Sequence, residues 1–219
     1  LADGDPERDE ELFAAADRVR AEHVGEGVYL RGLVEFSNYC RCTCQYCGLR
    51  APNRALQRYR LSPEAIVAAG RKAAELGYGT VVLQSGEDTW YSAAMIADIV
   101  RQIKAACPVA VTLCVGERPR EDYALWREAG ADRYLLRIET SDPVLYAQLH
   151  PGMSYEHRVQ CLRWLQELDY QVGSGVLVGL PGQTTETLAR DLLFLRDLPA
   201  DMVGIGPLIP HHQTPLAAV

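Results

Sequence analysis

The amino-acid sequence predicts an α/β fold in which helices cover a parallel sheet that winds toward a barrel. Short apolar runs of strand length alternate along the chain with longer segments whose apolar residues recur at helical spacing. The junction from helix to strand also repeats, with similar residues at 75–78, 128–131 and 167–170. Because strands that alternate with helices pair in parallel through right-handed crossovers, this pattern favours a (β/α) barrel.

The first predicted elements are a helix and a strand. Asp5 has the character of an N-cap, and Pro6 stands at the first helical position that follows it. A strand is expected over residues 28–36, ahead of a loop rich in cysteine and arginine. We therefore divide the chain into an N-terminal helical extension, residues 1–27, and a barrel domain, residues 28–219.

Beyond the cysteine-rich loop the alternation becomes regular. Six strands can be counted in all, whereas a complete eight-stranded barrel takes about 250 residues. We expect a TIM-type (β/α) barrel with six βα units, either a partial barrel or a piece of a full (β/α)8 barrel, and favour the second. Predicted helices cover residues 62–76, 96–103, 120–129, 144–149, 155–168 and 186–195, and further strands cover residues 80–84, 109–114, 133–136, 171–178 and 202–205.

Composition and charge argue against several classes of protein. The 219 residues are 48% hydrophobic, and the net charge of −7 argues against a nucleic-acid-binding face. No apolar run is long enough to cross a membrane, and the acidic first residues do not form a secretory signal. Because seven cysteines without such a signal indicate a reducing compartment, we expect a soluble cytoplasmic domain whose cysteines bind metal.

A cluster of cysteines directly follows the first predicted strand: Cys40, Cys42, Cys44 and Cys47. In a parallel barrel, active sites form at this end of the strands. Thiolates that converge from one loop suit a soft metal or an iron–sulfur cluster. The C-x3-C-x2-C spacing of Cys40, Cys44 and Cys47 leaves one iron of a four-iron cluster without a protein ligand. The alternative is a zinc site of all four thiolates, although zinc sites usually take two separated pairs of ligands.

This spacing, with the aromatic Tyr46 just before the last cysteine and at the end of strand one, resembles the radical SAM enzymes. The resemblance implies that Cys40, Cys44 and Cys47 hold a 4Fe-4S cluster whose open iron chelates S-adenosylmethionine. It also implies that reduction breaks a carbon–sulfur bond and yields a 5′-deoxyadenosyl radical. Tyr46 is then expected among the cofactor-binding residues, and Cys42 departs from the family's pattern, as a non-ligand or a competitor in metal incorporation.

Polar residues follow the next predicted strands. Ser85 and Glu87 belong to a Ser-Gly-Glu segment that resembles, with one substitution, a Gly-Gly-Glu segment with which the family binds the amino group of its cofactor. Arg137 and Glu139 could hold a carboxylate and ribose hydroxyls by charge-assisted hydrogen bonds, or could pair with each other and close the barrel. Arg158 could reach the same cofactor carboxylate or remain a solvated helix charge.

Longer segments resemble one branch of the family, the radical SAM maturases of FeFe-hydrogenases in the biotin-synthase-like subgroup. The resemblance implies an eight-stranded barrel with a closed cavity. It also implies a role in assembling the binuclear iron subcluster, from an iron–cysteine carbonyl cyanide precursor that a partner maturase makes. The segments cover residues 35–40, 83–88, 129–137 and 201–207, within a match that runs in register from about residue 29 to residue 215.

The same resemblance assigns roles to single residues. Arg137 would face the substrate cavity as the partner of an anion or carboxylate and is the candidate catalytic residue. The cofactor contacts that the resemblance implies are Gln84, Thr112, Glu139, Arg158 and Met202.

Three alternatives remain open. A methylornithine synthase shares the architecture of the barrel mouth. A biotin synthase would hold a second cluster inside the barrel, but the strands around Leu83, Leu135 and Val176 contain no cysteine, and Cys114 would be nearly alone. From a different class, the chain could be a non-catalytic zinc-binding scaffold, which stoichiometric zinc without labile sulfide would identify.

Arginines crowd the cysteine-rich loop of this otherwise acidic protein. An acidic electron donor such as flavodoxin or ferredoxin could dock on them, or they could pair with local carboxylates. They are Arg41, Arg50, Arg54, Arg58 and Arg60.

Five other cysteines and histidines are expected to have no chemical role. Cys107, Cys114 and Cys161 stand alone and are predicted to be small core residues. His211 and His212 lie in a polar tail and are predicted to be solvated.

Overall fold

The structure is a computed structural model that describes residues 5–218. Residues 1–4 and 219, at the outer ends of the two predicted domains, lie outside the described residues. The chain separates into two compact units, Leu1–Leu30 and Arg31–Val219. The division predicted at residues 27 and 28 stays a prediction.

The first unit contains one helix, α1 (Pro6–Val24). Its start follows the sequence, because the Asp5 side chain accepts a hydrogen bond from the Glu7 N–H at 3.1 Å and Pro6 occupies the first helical turn. No residue of α1 is buried.

The second unit is built on one six-stranded sheet whose strands are all parallel and lie in chain order. This confirms the predicted α/β class. The first strand begins later than predicted, since residues 28–31 precede it and Val28, Tyr29 and Leu30 are exposed. The strands are β1 (Gly32–Ser37), β2 (Thr80–Ser85), β3 (Ala110–Cys114), β4 (Arg133–Leu135), β5 (Gln171–Val178) and β6 (Met202–Pro207).

Helices connect successive strands. Ser62, Ser92 and Ser154 each accept a hydrogen bond from a backbone N–H three residues on, which fixes three helix starts. Asp169 ends another helix with φ 58°, the left-handed conformation that its short polar side chain tolerates. The helices are α2 (Pro63–Glu75), α3 (Ala93–Ala106), α4 (Arg120–Glu128), α5 (Pro143–Leu149), α6 (Tyr155–Glu167) and α7 (Thr185–Asp197), followed by a 3-10 turn (Pro215–Ala218).

Alternation along the strands separates a core face from a site face. Leu83, Val111 and Leu113 belong to the hydrophobic core, where burial stabilises the fold by about 1.5–3 kcal/mol per large side chain. Gln84 and Cys114, which are register partners in β2 and β3, line a cavity instead. Because the strands are parallel, their carboxyl ends all deliver side chains to the same rim.

No helix within residues 5–218 has both the length and the apolar character that crossing a bilayer requires.

Candidate functional site

A cavity of about 250 Å³ lies at the carboxyl ends of the strands. The cysteine loop, the loops after β2 to β4 and helix α6 all contribute to its walls. The structure thereby brings most of the sequence-predicted site residues together. The predicted residues that line the cavity are Cys40, Cys44, Tyr46, Cys47, Gln84, Ser85, Glu87, Arg137, Glu139 and Arg158.

Two predicted residues do not line this cavity. Thr112 lies two positions before Cys114 on the same face of β3, is 1% exposed, and its hydroxyl finds no hydrogen-bond partner among residues 5–218. Met202 is the first residue of β6, at the opposite end of the strand, where its sulfur lies 3.1 Å from Arg31 Nη1. The proposed contacts of both residues with the cofactor stay predictions.

The cysteine loop has no helix or strand between residues 38 and 59. Arg58 organises it from within: its guanidinium donates to the carbonyl oxygens of Asn38, Leu49 at 2.9 Å, Arg50 at 2.8 Å and Asn53 at 3.2 Å. A planar guanidinium has five donors in a fixed geometry and can therefore bind several carbonyls that would otherwise lack partners.

Two other loop arginines, Arg60 and Arg41, also pair with local carboxylates. Arg60 pairs with Asp88 at 2.7 Å and its guanidinium carbon lies 3.7 Å from the centre of the Tyr39 ring. Arg41 pairs with Glu87 at 3.0 Å. Arg60 and Arg41 therefore pair with nearby carboxylates, whereas the docking of an acidic electron-transfer protein on these arginines stays a prediction.

Backbone groups approach the Cys40 sulfur closely. Glu87 N lies 3.4 Å and Cys42 N 3.5 Å from Cys40 Sγ. Gly86 makes this approach possible, because a Cβ there would lie 2.3 Å from the Tyr39 oxygen. A hydrogen bond with the Cys42 thiol and burial raise the pKa of Cys40, and burial raises the pKa of Cys47. A metal would have to displace protons from both thiols.

The donor set fits a cluster. Within residues 5–218, no three His, Cys, Asp or Glu side chains surround a point that could hold a single metal ion. A four-iron cluster asks for a different arrangement, since each thiolate binds a different iron and the sulfurs stand apart around one space. Cys40, Cys44 and Cys47 all border one cavity. Cys42 borders it too and is 9% exposed.

A buried charge network forms another part of the site, beside the thiols. Arg158 Nε donates to Glu117 Oε1 at 2.6 Å, and Arg158 Nη1 donates to the Arg137 carbonyl at 3.1 Å. Glu87 Oε1 accepts from the Glu117 N–H at 2.9 Å. Burial by itself would lower the pKa of Arg158, but Tyr146, Glu117 and Glu87 outweigh it, so the pKa is raised and the guanidinium stays charged.

Arg137 and Glu139 pair with each other. Arg137 Nε donates to both carboxylate oxygens of Glu139 at 3.0 Å, and Arg137 Nη2 donates to the Val176 carbonyl at 2.8 Å. Burial raises the pKa of Glu139, which the neighbouring Arg137 partly offsets. Glu139 also has φ 65°, a conformation that costs a non-glycine residue free energy and that clusters at functional sites.

Sequence reasoning missed His150. Its Nδ1 lies 3.1 Å from the Tyr146 carbonyl, which can only accept, so Nδ1 carries the proton and Nε2 accepts from the Tyr46 hydroxyl at 3.0 Å. Burial, and then the charge of Arg158, lower the pKa of His150 to about 4. No motif marks this residue, because α5 is short and brings it to the cavity only in three dimensions.

Glu117 and Cys114 were also misjudged. Glu117 was not singled out, although it lies in the loop after β3 and is the partner of Arg158. The prediction that Cys114 is a core residue is wrong, because Cys114 lines the cavity. Counting the alternation in β3 back to Thr112 would have placed it there. Cys161, by contrast, is buried in the core as predicted. Cys107 is partly buried and packs against the hydrophobic core.

Comparisons with known proteins agree with this site. Residues 34–195 match the Radical SAM superfamily. The chain is 56% identical over 208 residues to the [FeFe] hydrogenase maturase subunit HydE of Thermotoga maritima, covering 95% of this chain and 60% of that protein. It is 30% identical over 209 residues to a 3-methylornithine synthase of Methanosarcina barkeri, covering 94% of this chain and 59% of that protein.

A solved structure matches as well. The crystal structure of methylornithine synthase (PylB) superposes with a TM-score of 0.90 at 29% identity, covering 96% of this chain and 62% of that one. The chain thus spans about 60% of the length of the curated relatives it matches.

Proposed function

The chain belongs to the radical SAM superfamily, and we propose that it is a radical S-adenosylmethionine enzyme of FeFe-hydrogenase maturation. A 4Fe-4S cluster and S-adenosylmethionine are the cofactors of this family. The observation that carries the proposal is one cavity whose lining includes the Cys40, Cys44 and Cys47 thiols together with the buried Arg158 and the carboxylates of Glu87 and Glu139. The identity to HydE names the branch of the family.

Cys40, Cys44 and Cys47 would hold the cluster and leave one iron open to the cavity. When bound, the cluster supplies the electron that breaks a carbon–sulfur bond of S-adenosylmethionine. Arg158 offers a buried positive charge to a carboxylate, and Glu87 beside it can accept from an ammonium group. Both groups are already held by other residues, so binding requires little reorganisation.

Arg137 and Glu139 would orient polar groups at the cavity floor. Their ion pair can open toward an anion or a ribose hydroxyl, because a bound carboxylate can replace the Glu139 contact with Arg137. Leu49, Leu135 and Met153 form the apolar part of the cavity lining and limit the entry of water. We propose an iron–cysteine organometallic compound or another small molecule as the substrate that Arg137 faces.

The partners follow from the same proposal. Other hydrogenase maturases would supply or receive the substrate, and flavodoxin or ferredoxin would supply electrons. Arg41, whose side chain is 58% exposed beside the cysteine loop, is available to such a donor. We place the activity in the cytoplasm, since clustered cysteines that bind metal are typical of reducing compartments.

Electron paramagnetic resonance tests this function. The chain is reconstituted anaerobically with iron and sulfide, reduced, and measured with and without S-adenosylmethionine. We expect a 4Fe-4S signal that changes when the cofactor is added. A signal that does not change when S-adenosylmethionine is added would contradict an open iron. Stoichiometric zinc without labile sulfide would identify a zinc scaffold instead.

A methylornithine synthase is the second candidate, favoured by the TM-score of 0.90 to PylB. Release of 5′-deoxyadenosine with each candidate substrate distinguishes the two. Stimulation by the iron–cysteine compound supports the maturase, and formation of 3-methylornithine supports the synthase.

A further inference from the structure

The segment after β6 turns back onto the cysteine loop. Leu208 N donates to the Val178 carbonyl at 2.7 Å, which anchors the start of this segment to β5. His211 N then donates to the Tyr46 carbonyl at 3.1 Å, and Leu216 N donates to the Gln45 carbonyl at 3.2 Å. Two backbone hydrogen bonds thus join the tail to the stretch between Cys44 and Cys47.

The His211 ring packs directly on Gly48. A Cβ at residue 48 would lie 2.7 Å from both Cδ2 and Cγ of His211, closer than any side chain tolerates. Gly48 has no unusual backbone angle that would demand glycine. Its lack of a side chain therefore serves this contact.

The ring itself is held in place. Gln213 N donates to His211 Nδ1 at 3.1 Å, and Thr214 Oγ1 donates to the His211 carbonyl at 2.6 Å. Asn53 Nδ2 bridges the two segments, donating to Gly48 O at 2.8 Å and to Gln213 Oε1 at 3.1 Å. The prediction that His211 is solvated is therefore wrong, whereas His212 is exposed as predicted.

From this contact we propose that His211 is a positioning residue for the cysteine loop. Its ring and backbone hold residues 44–48 from one side, while the Leu149 carbonyl accepts from Gln45 N at 2.9 Å on the other. Held between the two, the loop directs Cys44 and Cys47 into the cavity. The consequence for cluster binding rests on the proposed function, but the contact is a property of the iron-free chain.

Hydrogen exchange of the iron-free 219-residue chain tests the contact first. In His211→Ala we expect the amides of residues 43–51 to exchange roughly tenfold faster than in the unmodified chain, because the loop opens more readily. His212→Ala is the matched control, since its ring stacks on the outer side of His211 at 4.2 Å and leaves Gly48 untouched. Equal exchange in the two variants would overturn the proposal.

Two further single variants, Gly48→Ala and His211→Phe, remain informative if His211→Ala unfolds. Gly48→Ala forces a Cβ against the ring, so the same amides should exchange faster and a chelator should remove iron from the reconstituted chain faster. Where His211→Ala folds, its combination with Gly48→Ala makes room for that Cβ and should exchange more slowly than Gly48→Ala alone. His211→Phe keeps a ring on Gly48 and should retain protection close to that of the unmodified chain.

The two proposals fail separately. If Gly48→Ala behaves the same with and without His211, the positioning role is wrong, whatever the iron content. If the unmodified chain forms no cluster while the exchange results hold, the proposed function fails and the contact between tail and loop stands.

Discussion

The two walls of the cavity are built by different means. The thiol wall, residues 38–59, has no helix or strand, and hydrogen bonds donated by Arg58 and His211 and accepted by the Leu149 carbonyl shape it. On the charged wall, Arg137 and Glu139 follow the end of β4 and Arg158 projects from α6. One wall thus depends on contacts between distant residues, and the other on strand register and ion pairs.

This difference predicts whether a substitution in each wall first alters metal binding or the global stability of the fold. A loop held by a few hydrogen bonds opens locally at low free energy, so changes there alter metal binding before they alter global stability. Buried ion pairs behave in the opposite way, because removing one partner leaves an uncompensated charge in the interior. Variants in each wall can be used to test this contrast.

The largest effect is expected from the thiols. Cys44→Ala should abolish the 4Fe-4S signal after anaerobic reconstitution, while the unfolding free energy of the iron-free chain changes little, because Cys44 is only partly buried. Iron and sulfide analysis together with electron paramagnetic resonance measure this. Cys42→Ala and Cys114→Ala are controls that should keep the signal. Loss of the signal in Cys42→Ala would instead make Cys42 a ligand.

On the charged wall, Glu117→Ala should destabilise the iron-free chain by about 3 kcal/mol, because Arg158 loses its partner at 2.6 Å while remaining buried. The estimate lies at the lower end for buried pairs since Glu87 Oε1 remains 3.8 Å from Arg158 Nη2. Denaturant unfolding gives the value. The exposed Glu121→Ala is the matched control, and equal destabilisation by the two changes would refute a special role for the pair.

His150 connects the two walls and gives a pH test. Its pKa in the folded chain is about 4, against an ordinary value of 6.5, so between these pH values the unfolded chain binds a proton that the folded chain does not. Stability present above pH 6.5 should therefore fall by about 3 kcal/mol as the pH drops to 4. His150→Gln should remove this dependence, measured as unfolding free energy against pH, whereas His212→Gln should keep it.

The sequence predicted the charged wall better than the thiol wall. Strand ends, alternation and the helix caps at Ser62 and Ser154 follow from local patterns, which is why Arg137 and Glu139 were expected at the rim. The pattern left Arg158 open between the cofactor and solvent, and only the family resemblance assigned it to the site. The cysteine ligands were also recognisable, because their spacing is local.

The shape of the thiol wall could not be predicted in the same way. The His211 ring reaches Gly48 from far along the chain, and His150 reaches Tyr46 from a short helix, and neither contact leaves a periodic pattern. The start of β1 was misplaced for a related reason. Residues 28–30 are apolar, as in a strand, but the register of β1 with β2 begins only at Gly32, which is paired with Val81.

The smallest effect is expected for Arg58, which lies within the thiol wall itself. Arg58→Ala removes the donor shared by four loop carbonyls, and we expect a loss of about 2 kcal/mol, since water can reach part of this loop and replace some of the hydrogen bonds. Arg58→Lys should be nearly as harmful, because an ammonium group cannot match the planar fork. The exposed Arg54→Ala is the control. If Arg58→Lys retains full stability and fast iron uptake, positive charge alone shapes the loop. If Arg58→Lys loses as much stability as Arg58→Ala, the geometry of the guanidinium shapes the loop. The thiol wall is then held by directed hydrogen bonds rather than by electrostatic attraction.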